Sequence, residues 1–292
     1  MKIRMAAYLL FFGVMASAFL AGCGLLGFRE HPGGNDLRIG MLENFNVSEK
    51  EYAAIIKQEG TEMGGIPSGQ FPVVTYYDSL NSLLLGLESG DIDRASTYQC
   101  VAKYLIERNP RYEETNFIRA SLVDSFCSAV RKEDGELLQG MNEALRSMDE
   151  DGTLGFLVKE YIDDVKAGLN PHAVELPKIP GAGTLKVAVT GDLPPLDLVL
   201  VDGSAAGFNT AILAEIGRRM GKNIEIVSMD SGSRMAALRA GRVDVVFWTV
   251  VPAEEFTMRP PDFDQTLGVA TTIPYYKDEI VHIQWRKDYY RK

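Results

Sequence analysis

The chain reads Ser82-Leu83-Leu84-Leu85-Gly86-Leu87-Glu88-Ser89-Gly90-Asp91-Ile92-Asp93 and, in its second half, Ser233-Arg234-Met235-Ala236-Ala237-Leu238-Arg239-Ala240-Gly241-Arg242-Val243-Asp244. Each stretch predicts a short amphipathic helix that ends at a glycine able to adopt positive φ, followed by a strand that opens with an aspartate. Upstream of each lies an apolar run typical of a first strand, at 37–42 and 185–190. We therefore predict two α/β units with a ligand-binding cleft between them.

Alternating strands and helices extend this plan through both halves of the chain. The predicted strands are 37–42, 73–77, 92–98 and 124–131 in the first half, and 185–190, 224–227 and 243–248 in the second. The predicted helices begin at Ser48, Leu80 and Gln99, then cover 136–148, 154–165 and 210–221, and the last begins at Ser233 as its cap. This spacing predicts parallel sheets, in which ligands bind beyond the carboxyl ends of the strands.

The first residues have the plan of a secretory signal. Lys2 and Arg4 precede an apolar stretch, 6–20, that is shorter than the about 20 residues needed to cross a membrane. Leu20-Ala21-Gly22-Cys23 resembles the lipobox of bacterial lipoproteins. That resemblance implies a signal peptide over 1–22, a lipid on Cys23 and an extracytoplasmic, membrane-anchored protein. An ordinary cleaved signal with a chance cysteine is the alternative. Residues 23–36 are predicted to form a tether.

Composition agrees with a soluble body and argues against some functions. The 292 residues are 46% hydrophobic and 24% charged, which is ordinary for a globular protein with more than one core. The net charge of −10 argues against nucleic acid as a partner, because phosphates require clustered lysine and arginine.

The sequence offers few signs of catalysis or metal binding. The three histidines, His31, His172 and His282, are scattered, so we predict no metal site, no cofactor and no catalytic residue. Cys100 and Cys127 could pair in an oxidising compartment, or they could be two buried thiols that pack as small hydrophobic groups.

Eight side chains near the predicted strand ends are candidate ligand contacts. Asp192 and Asp197 flank Pro194-Pro195, where a carboxylate could pair with a cationic or hydroxylated ligand or could be a solvated turn residue. The indole of Trp248 could stack on a ligand while Thr249 donates a hydrogen bond, although Trp248 could equally belong to the core. The candidates in the first half are Asn46, Tyr77, Asp78 and Tyr98.

Motifs in the second half resemble the family 3 extracellular solute-binding proteins, which are receptors of polar amino acid importers. They are Leu185-Lys186-Val187-Ala188-Val189, Pro194-Pro195, Asp202-Gly203, Gly207-Phe208-Asn209, Gly241-Arg242-Val243-Asp244 and Pro274-Tyr275-Tyr276. The first half resembles that family's second lobe, including its ending from Ser128 to Asp134 and at Asp151-Gly152-Thr153. The resemblance covers 37 to about 284 and implies a two-lobed, type II periplasmic-binding fold. Each lobe would be a mostly parallel sheet with flanking helices.

The order of the two parts differs from that of the family. The family runs from first lobe to second lobe to closing helices, whereas here the second-lobe-like part comes first. We predict a circularly permuted receptor with a second-lobe-like domain at 37–167, a linker at 168–184 and a first-lobe-like domain at 185–292. Two incomplete domains fused in tandem are the alternative.

The sequence departs from the family at the ligand positions. Thr249 is followed by Val250, Val251 and Pro252 rather than by the family's carboxylate-binding arginine. The aromatic residue after the two prolines is replaced by Leu196, the ammonium-binding aspartate by Tyr98, and the Gly-Thr loop by Asn44-Phe45-Asn46. The resemblance therefore does not specify an α-amino acid as the ligand.

The function predicted from these features is that of a lipid-anchored receptor. It would capture a small polar ligand, an amino acid or a related compound, by hinge closure. As a monomer it would pass the ligand to the permease of an ABC importer. Two alternatives remain, a non-transport sensor domain and an exported enzyme such as a dehydratase or hydrolase that uses Asp192 or Asp197 as acid or base.

Overall fold

A computed structural model of the chain describes residues 37–43, 72–115, 123–166, 171–252 and 268–286, with the side chains of 251 and 252 outside that description. The predicted signal peptide, Cys23, the tether, Asn46 and the helix predicted from Ser48 lie outside the described residues. Within the described ranges, no helix is both long and apolar enough to cross a membrane.

Strands and helices alternate along most of the described chain. The strands are β1 (Arg38–Leu42), β2 (Val73–Tyr77), β3 (Arg94–Tyr98), β4 (Tyr112–Thr115), β5 (Val123–Arg131), β6 (Thr184–Val189), β7 (Asp192–Leu193), β8 (Asp197–Val199), β9 (Ala205–Ala206), β10 (Asn223–Ser228), β11 (Val245–Pro252), β12 (Val269–Thr271) and β13 (Tyr276–Trp285). The helices are α1 (Leu80–Ser89), α2 (Gln99–Arg108), α3 (Gly135–Glu150), α4 (Thr153–Val158), α5 (Asp164–Lys166), α6 (Phe208–Met220) and α7 (Arg234–Arg239).

Two groups of three parallel strands form the framework of the molecule. The first parallel set is β2-β1-β3 and the second is β10-β6-β11. In the described residues, α1 connects β2 to β3, and α6 and α7 precede β10 and β11. In α1 the buried Leu80, Leu83 and Leu87 recur at the spacing of one helical face, Ser79 caps the amino end through its side chain, and Gly90 ends the helix at φ 79°. Each set therefore forms as its local sequence pattern predicts.

Two antiparallel strands join the two parallel sets. β5 lies beside β11 of the second set, and the later part of β13 lies beside β3 of the first. Because the first four residues of β13 also pair with β5, all eight strands belong to one sheet in the order β10-β6-β11-β5-β13-β3-β1-β2. β12 adds to β5 and β4 adds to β13, while β7, β8 and β9 form a separate small sheet. The α/β class, with parallel strands and flanking helices, is confirmed.

The two repeated stretches adopt the same local structure. Gly90 and Gly241 both have positive φ, and the peptide N–H groups of Asp93 and Asp244 donate to the carbonyls of Arg38 and Lys186. Each aspartate carboxylate in turn accepts from the N–H of that same residue, at 2.9 and 3.0 Å. The aspartate directly before each third strand thus holds the start of the first strand in place.

We expect Asp244→Ala to destabilise the protein by about 1–2 kcal/mol. The substitution leaves the N–H of Lys186 without its acceptor and removes the ion pair of Asp244 with Arg131. Urea unfolding of the variant beside Asp93→Ala, which removes the equivalent contact, and the exposed control Asp149→Ala measures the effect. Equal stability of Asp244→Ala and Asp149→Ala would contradict this role.

Several predicted boundaries needed correction. The third strand of each set starts later than predicted, at Arg94 and Val245, because Asp93 and Asp244 use their backbone to hold the first strand. The helix predicted over 154–165 contains a π-helical turn at Lys159–Asp163. Ser233 does not cap α7 through its side chain but belongs to a 3-10 turn, Ser231–Ser233.

The two described cysteines are separate, buried thiols. Cys100 begins the buried face of α2, and Cys127 lies in the middle of β5. Burial raises the pKa of the Cys127 thiol to about 12, which disfavours the reactive thiolate. Of the two alternatives for these residues, the structure therefore has two buried thiols and not a disulfide.

Candidate functional site

The carboxyl ends of the two parallel sets meet each other. Asp192, which follows β6, accepts a hydrogen bond from the N–H of Leu80 at the start of α1, at 2.9 Å. Ser231, which follows β10, donates to the carbonyl of Asp78 after β2, at 3.2 Å. Loops after strands of opposite sets are therefore in direct contact, at the place where ligands bind in parallel sheets.

A cluster of three aromatic rings lies between the sets. The ring of Trp248 in β11 lies 5.4 Å from that of Tyr98 in β3 and 4.3 Å from that of Phe126 in β5. Trp248 is fully buried and Tyr98 is 2% exposed. The structure thus brings these two predicted ligand residues together, in contact with each other. We call Tyr98, Phe126 and Trp248 the aromatic cluster.

Asp192 connects the second set to the first through its carboxylate. Its side chain is half-buried, and burial raises its pKa above the usual value. Hydrogen bonds from the N–H groups of Leu80 and Asn81 oppose that shift, because they favour the charged form. These two groups belong to the amino end of α1, which carries the positive end of the helix dipole. Asp192 therefore occupies the place at which this helix would bind an anion.

Asp197 is the most deeply buried carboxylate of the site, at 1% exposure. Its Oδ1 accepts from the hydroxyl of Thr190 at 2.8 Å and from the N–H of Gly191 at 2.9 Å. Its Oδ2 is also buried and accepts no hydrogen bond from any described residue. Burial raises the pKa of Asp197 to about 6, and the charge of Asp192 adds to the rise, while Thr190 and Arg234 oppose it. The two aspartates are therefore close enough to sense each other's charge.

Arg234 is a site residue that the sequence analysis did not identify. The side chain is 2% exposed, and its Nη1 donates to the carbonyl of Trp248 at 2.7 Å. The guanidinium of Arg234 therefore reaches the backbone carbonyl that precedes Thr249, and it does so from α7. A buried arginine cannot be distinguished by sequence pattern from the other arginines of the repeat, so only the contact reveals it.

Asp124 is a second buried charged residue near the aromatic cluster that the sequence pattern did not indicate. It lies at the start of β5, is 2% exposed, and accepts a hydrogen bond from the hydroxyl of Tyr98 at 2.8 Å. Burial raises its pKa to about 7. The strand register places it directly opposite Asp278 of β13, another buried aspartate. Two aspartates thus lie side by side on the strands that join the parallel sets.

The remaining predicted ligand residues have different positions. Thr249 is buried in β11, and Asp78 is exposed after β2. The ring of Tyr77 packs against Gly86 of α1, so closely that a larger residue at position 86 would collide with it. None of these placements tests ligand contact, so the roles of all the predicted residues stay predictions.

Two other features of the described residues differ from a ligand site. Among the described residues, no three histidine, cysteine, aspartate or glutamate side chains are grouped to hold a metal ion. A surface groove of about 330 Å³ lies between α3 and α6, away from the strand ends, and is lined by Gly140, Glu143, Ala144, Ser147, Arg219 and Met220. Arg219 is engaged there with Asp151 and Glu215, which indicates a structural role.

Comparison with protein families gives one match. Residues 185–257 match the model of the bacterial extracellular solute-binding proteins, family 3. The matched segment contains β6 to β11 and all the predicted ligand residues of the second half. The resemblance to this family is confirmed for that segment. Comparison with curated proteins gave no match.

Solved structures show only distant similarity. One is the zinc-bound ligand-binding component of an ABC-type import system from Staphylococcus aureus, with 12% identity, a TM-score of 0.45, and coverage of 86% of this chain and 66% of that one. Another is the alkanesulfonate-binding protein SsuA from Xanthomonas axonopodis pv. citri bound to MOPS, with 10% identity, a TM-score of 0.42, and coverage of 89% and 69%. A third is the GluR0 ligand-binding core with L-glutamate, with 9% identity, a TM-score of 0.43, and coverage of 88% and 87%. With TM-scores below 0.5, these similarities carry no argument about the ligand.

Proposed function

We propose that this protein is a receptor for a small polar solute. The premise is that residues 185–257 match the model of the bacterial extracellular solute-binding proteins, family 3. The solute binds between the carboxyl ends of the two parallel sets. The receptor then presents it to the permease of an ABC importer. No step of this function requires a chemical change in the solute.

The observation that carries the proposal is the contact between loops of opposite sets. Asp192 reaches the amino end of α1, and Ser231 reaches the carbonyl of Asp78. A solute that lies between these loops touches both sets at once. Because such a solute binds the closed arrangement better than an open one, it shifts the population toward closure.

The arrangement of the domains is part of the proposal. The second-lobe-like domain at 37–167 and the first-lobe-like domain at 185–292 form one permuted receptor. This reading is supported by the way in which β5 and β13 run antiparallel beside the two parallel sets, so that each set receives a strand from the other part of the chain. Movement of the sets about these two strands is the hinge motion.

The place of action follows from the amino-terminal sequence. A signal over 1–22, a lipid on Cys23 and the tether at 23–36 would keep the receptor at the outer face of the membrane. One acyl chain binds a membrane only reversibly, so stable anchoring requires a second acyl chain or a second membrane-binding signal.

We expect one class of small polar solutes to stabilise the protein without being consumed. A thermal-shift panel of amino acids, amines and organic acids measures this. A solute at about 100 times its dissociation constant contributes roughly 2.7 kcal/mol, which corresponds to a rise in Tm of a few degrees. Small-angle scattering should show that the monomer becomes more compact with the same solute, and NMR of the mixture should show the solute unchanged.

The control is Asp149→Asn, an exposed substitution on α3, which should respond as the wild type does. Product formation during the NMR experiment would identify an enzyme instead. If the protein binds the solute but deletion of the importer leaves solute uptake unchanged, the protein would be a sensor. Absence of binding by every member of a broad panel would refute the receptor role.

A further inference from the structure

We propose that the solute is an organic cation without an α-carboxylate, and that its positive group lies against Oδ2 of Asp197. This inference rests on the proposed receptor function and specifies its ligand class. It depends on Asp192 and Asp197, which flank Pro194-Pro195, and on the hydrogen bonds that each of them accepts.

The first step concerns the places where a ligand carboxylate would bind. The guanidinium of Arg234 is one, but it is 2% exposed and already donates to the carbonyl of Trp248. The amino end of a helix commonly binds an anion, because its first N–H groups have no partner within the helix and the positive end of the helix dipole lies there. In this protein the amino end of α1 receives the carboxylate of Asp192, with Oδ2 2.9 Å from the N–H of Leu80. An amino acid that placed its carboxylate there would have to displace Asp192 and force that half-buried charge to find other partners.

The second step concerns the acceptor that remains. Both hydrogen bonds to Asp197 go to Oδ1, from Thr190 and Gly191, and Oδ2 is buried without a partner among the described residues. A buried carboxylate oxygen with no donor is costly, since the group loses its water and gains nothing in exchange. A ligand ammonium or guanidinium supplies the missing donor and the missing charge.

The third step concerns the balance of charge around Asp197. Among the described residues, the charge of Asp78 acts on Asp192, the charges of Arg234 and Asp192 act on Asp197, and the hydroxyl of Tyr275 interacts with Asp197. Three carboxylates face one guanidinium, so a positive ligand brings the site closer to neutrality. A metal ion is a poor fit, because the described residues hold no group of three ligands for one.

Matched pairs of probes test the proposal by calorimetry. Cadaverine, agmatine and choline are compared with L-lysine, L-arginine and betaine, which carry the same positive group together with a carboxylate. We expect at least one carboxylate-free probe to bind at least tenfold more tightly than its partner. Asp197→Asn should weaken that binding at least tenfold, whereas Asp202→Asn, in an exposed turn nearby in sequence, should leave it unchanged.

Asp192→Ala provides a reciprocal test. It frees the amino end of α1, so the carboxylated member of the pair should gain affinity relative to its partner. If Asp197→Asn does not fold, the pH dependence of wild-type binding replaces it. Cadaverine, agmatine and choline all keep their positive charge between pH 5 and pH 7.5, so the affinity of whichever probe binds should fall about tenfold from pH 7.5 to pH 5 as Asp197 takes up a proton.

The outcomes separate this inference from the receptor function. Tighter binding of the carboxylated probes, or of acids such as glutarate that have no positive group, would overturn the inference and leave a receptor. Tight binding of a cation that neither Asp197→Asn nor low pH weakens would also overturn it. Failure of the whole solute panel would remove the receptor function itself.

Discussion

Replacing Trp248 with alanine is expected to lower the free energy of unfolding by about 3–5 kcal/mol. The side chain is fully buried and packs against Phe126 and Tyr98, with ring centres 4.3 and 5.4 Å away. Its removal leaves a large cavity on the strands that join the two parallel sets, and well-packed surroundings relax only partly around such a cavity. Urea unfolding followed by circular dichroism measures the change.

The chain offers a matched control, because its second tryptophan is Trp285. That side chain is only partly buried, at the end of β13, and its ring centre lies 4.9 Å from that of Tyr112. Trp285→Ala should therefore cost less than Trp248→Ala, while Trp248→Phe should recover part of the loss. Similar losses at both positions would show that the aromatic cluster does not join the sets as described.

Raising the pH from about 4 to 7 is expected to destabilise the folded protein through Asp124. Burial raises the pKa of this carboxyl to about 7, whereas in the unfolded chain it titrates near 4. The folded state therefore binds more protons than the unfolded state across this interval. The stabilisation is fully present below about pH 4 and is lost as the pH rises through 7. The full effect of the one group is on the order of 4 kcal/mol.

Asp124→Asn tests this prediction, because asparagine retains an acceptor for the hydroxyl of Tyr98 but does not ionise. The slope of unfolding free energy against pH should become shallower, and Asp149→Asn, which changes an exposed carboxyl, should leave it as in the wild type. The pKa of Asp197, raised to about 6, acts with the same sign, whereas the pKa of His282, lowered to about 4 by burial, acts with the opposite sign, so these groups together set the slope that remains. A slope unaltered by Asp124→Asn would contradict the prediction.

The groups that face Asp124 come from β3 and β13. Asp278 lies opposite it on β13, and Tyr98 donates to it from β3. Asp278 in turn accepts from the N–H of Cys100 at the start of α2. Ionisation of Asp124 therefore places a negative charge directly opposite the carboxyl group of Asp278, on the strands that connect the two sets.

Local sequence patterns were sufficient to predict most strands and helices. The leucines of α1 recur at helical spacing, Gly90 and Gly221 end their helices in the left-handed conformation, and β2 was predicted with its observed limits. These features depend on residues that are three to five positions apart, so the information lies within one short segment. The errors fell where a distant partner intervened, as at Asp93 and Asp244.

The candidate site was predictable only in outline. The strand-end rule selected Asp192, Asp197, Trp248 and Tyr98, all of which lie where the parallel sets meet. It could not select Arg234, because nothing in the pattern of α7 distinguishes this arginine from Arg239. It also could not show that Asp192 would bind to the amino end of α1, a contact between residues 112 positions apart.

The sequence by itself determined the strands of the two parallel sets, most of their helices and the repeated helix-glycine-strand element. These follow from the periodicity of apolar side chains and from the conformational freedom of glycine, which act over a few residues. Only the tertiary structure decided that Trp248 is packed against Tyr98, that Arg234 binds the carbonyl of Trp248, and that Asp192 caps a helix of the opposite set. Such contacts depend on the order of strands in the sheet, which brings distant segments together and which no local pattern specifies.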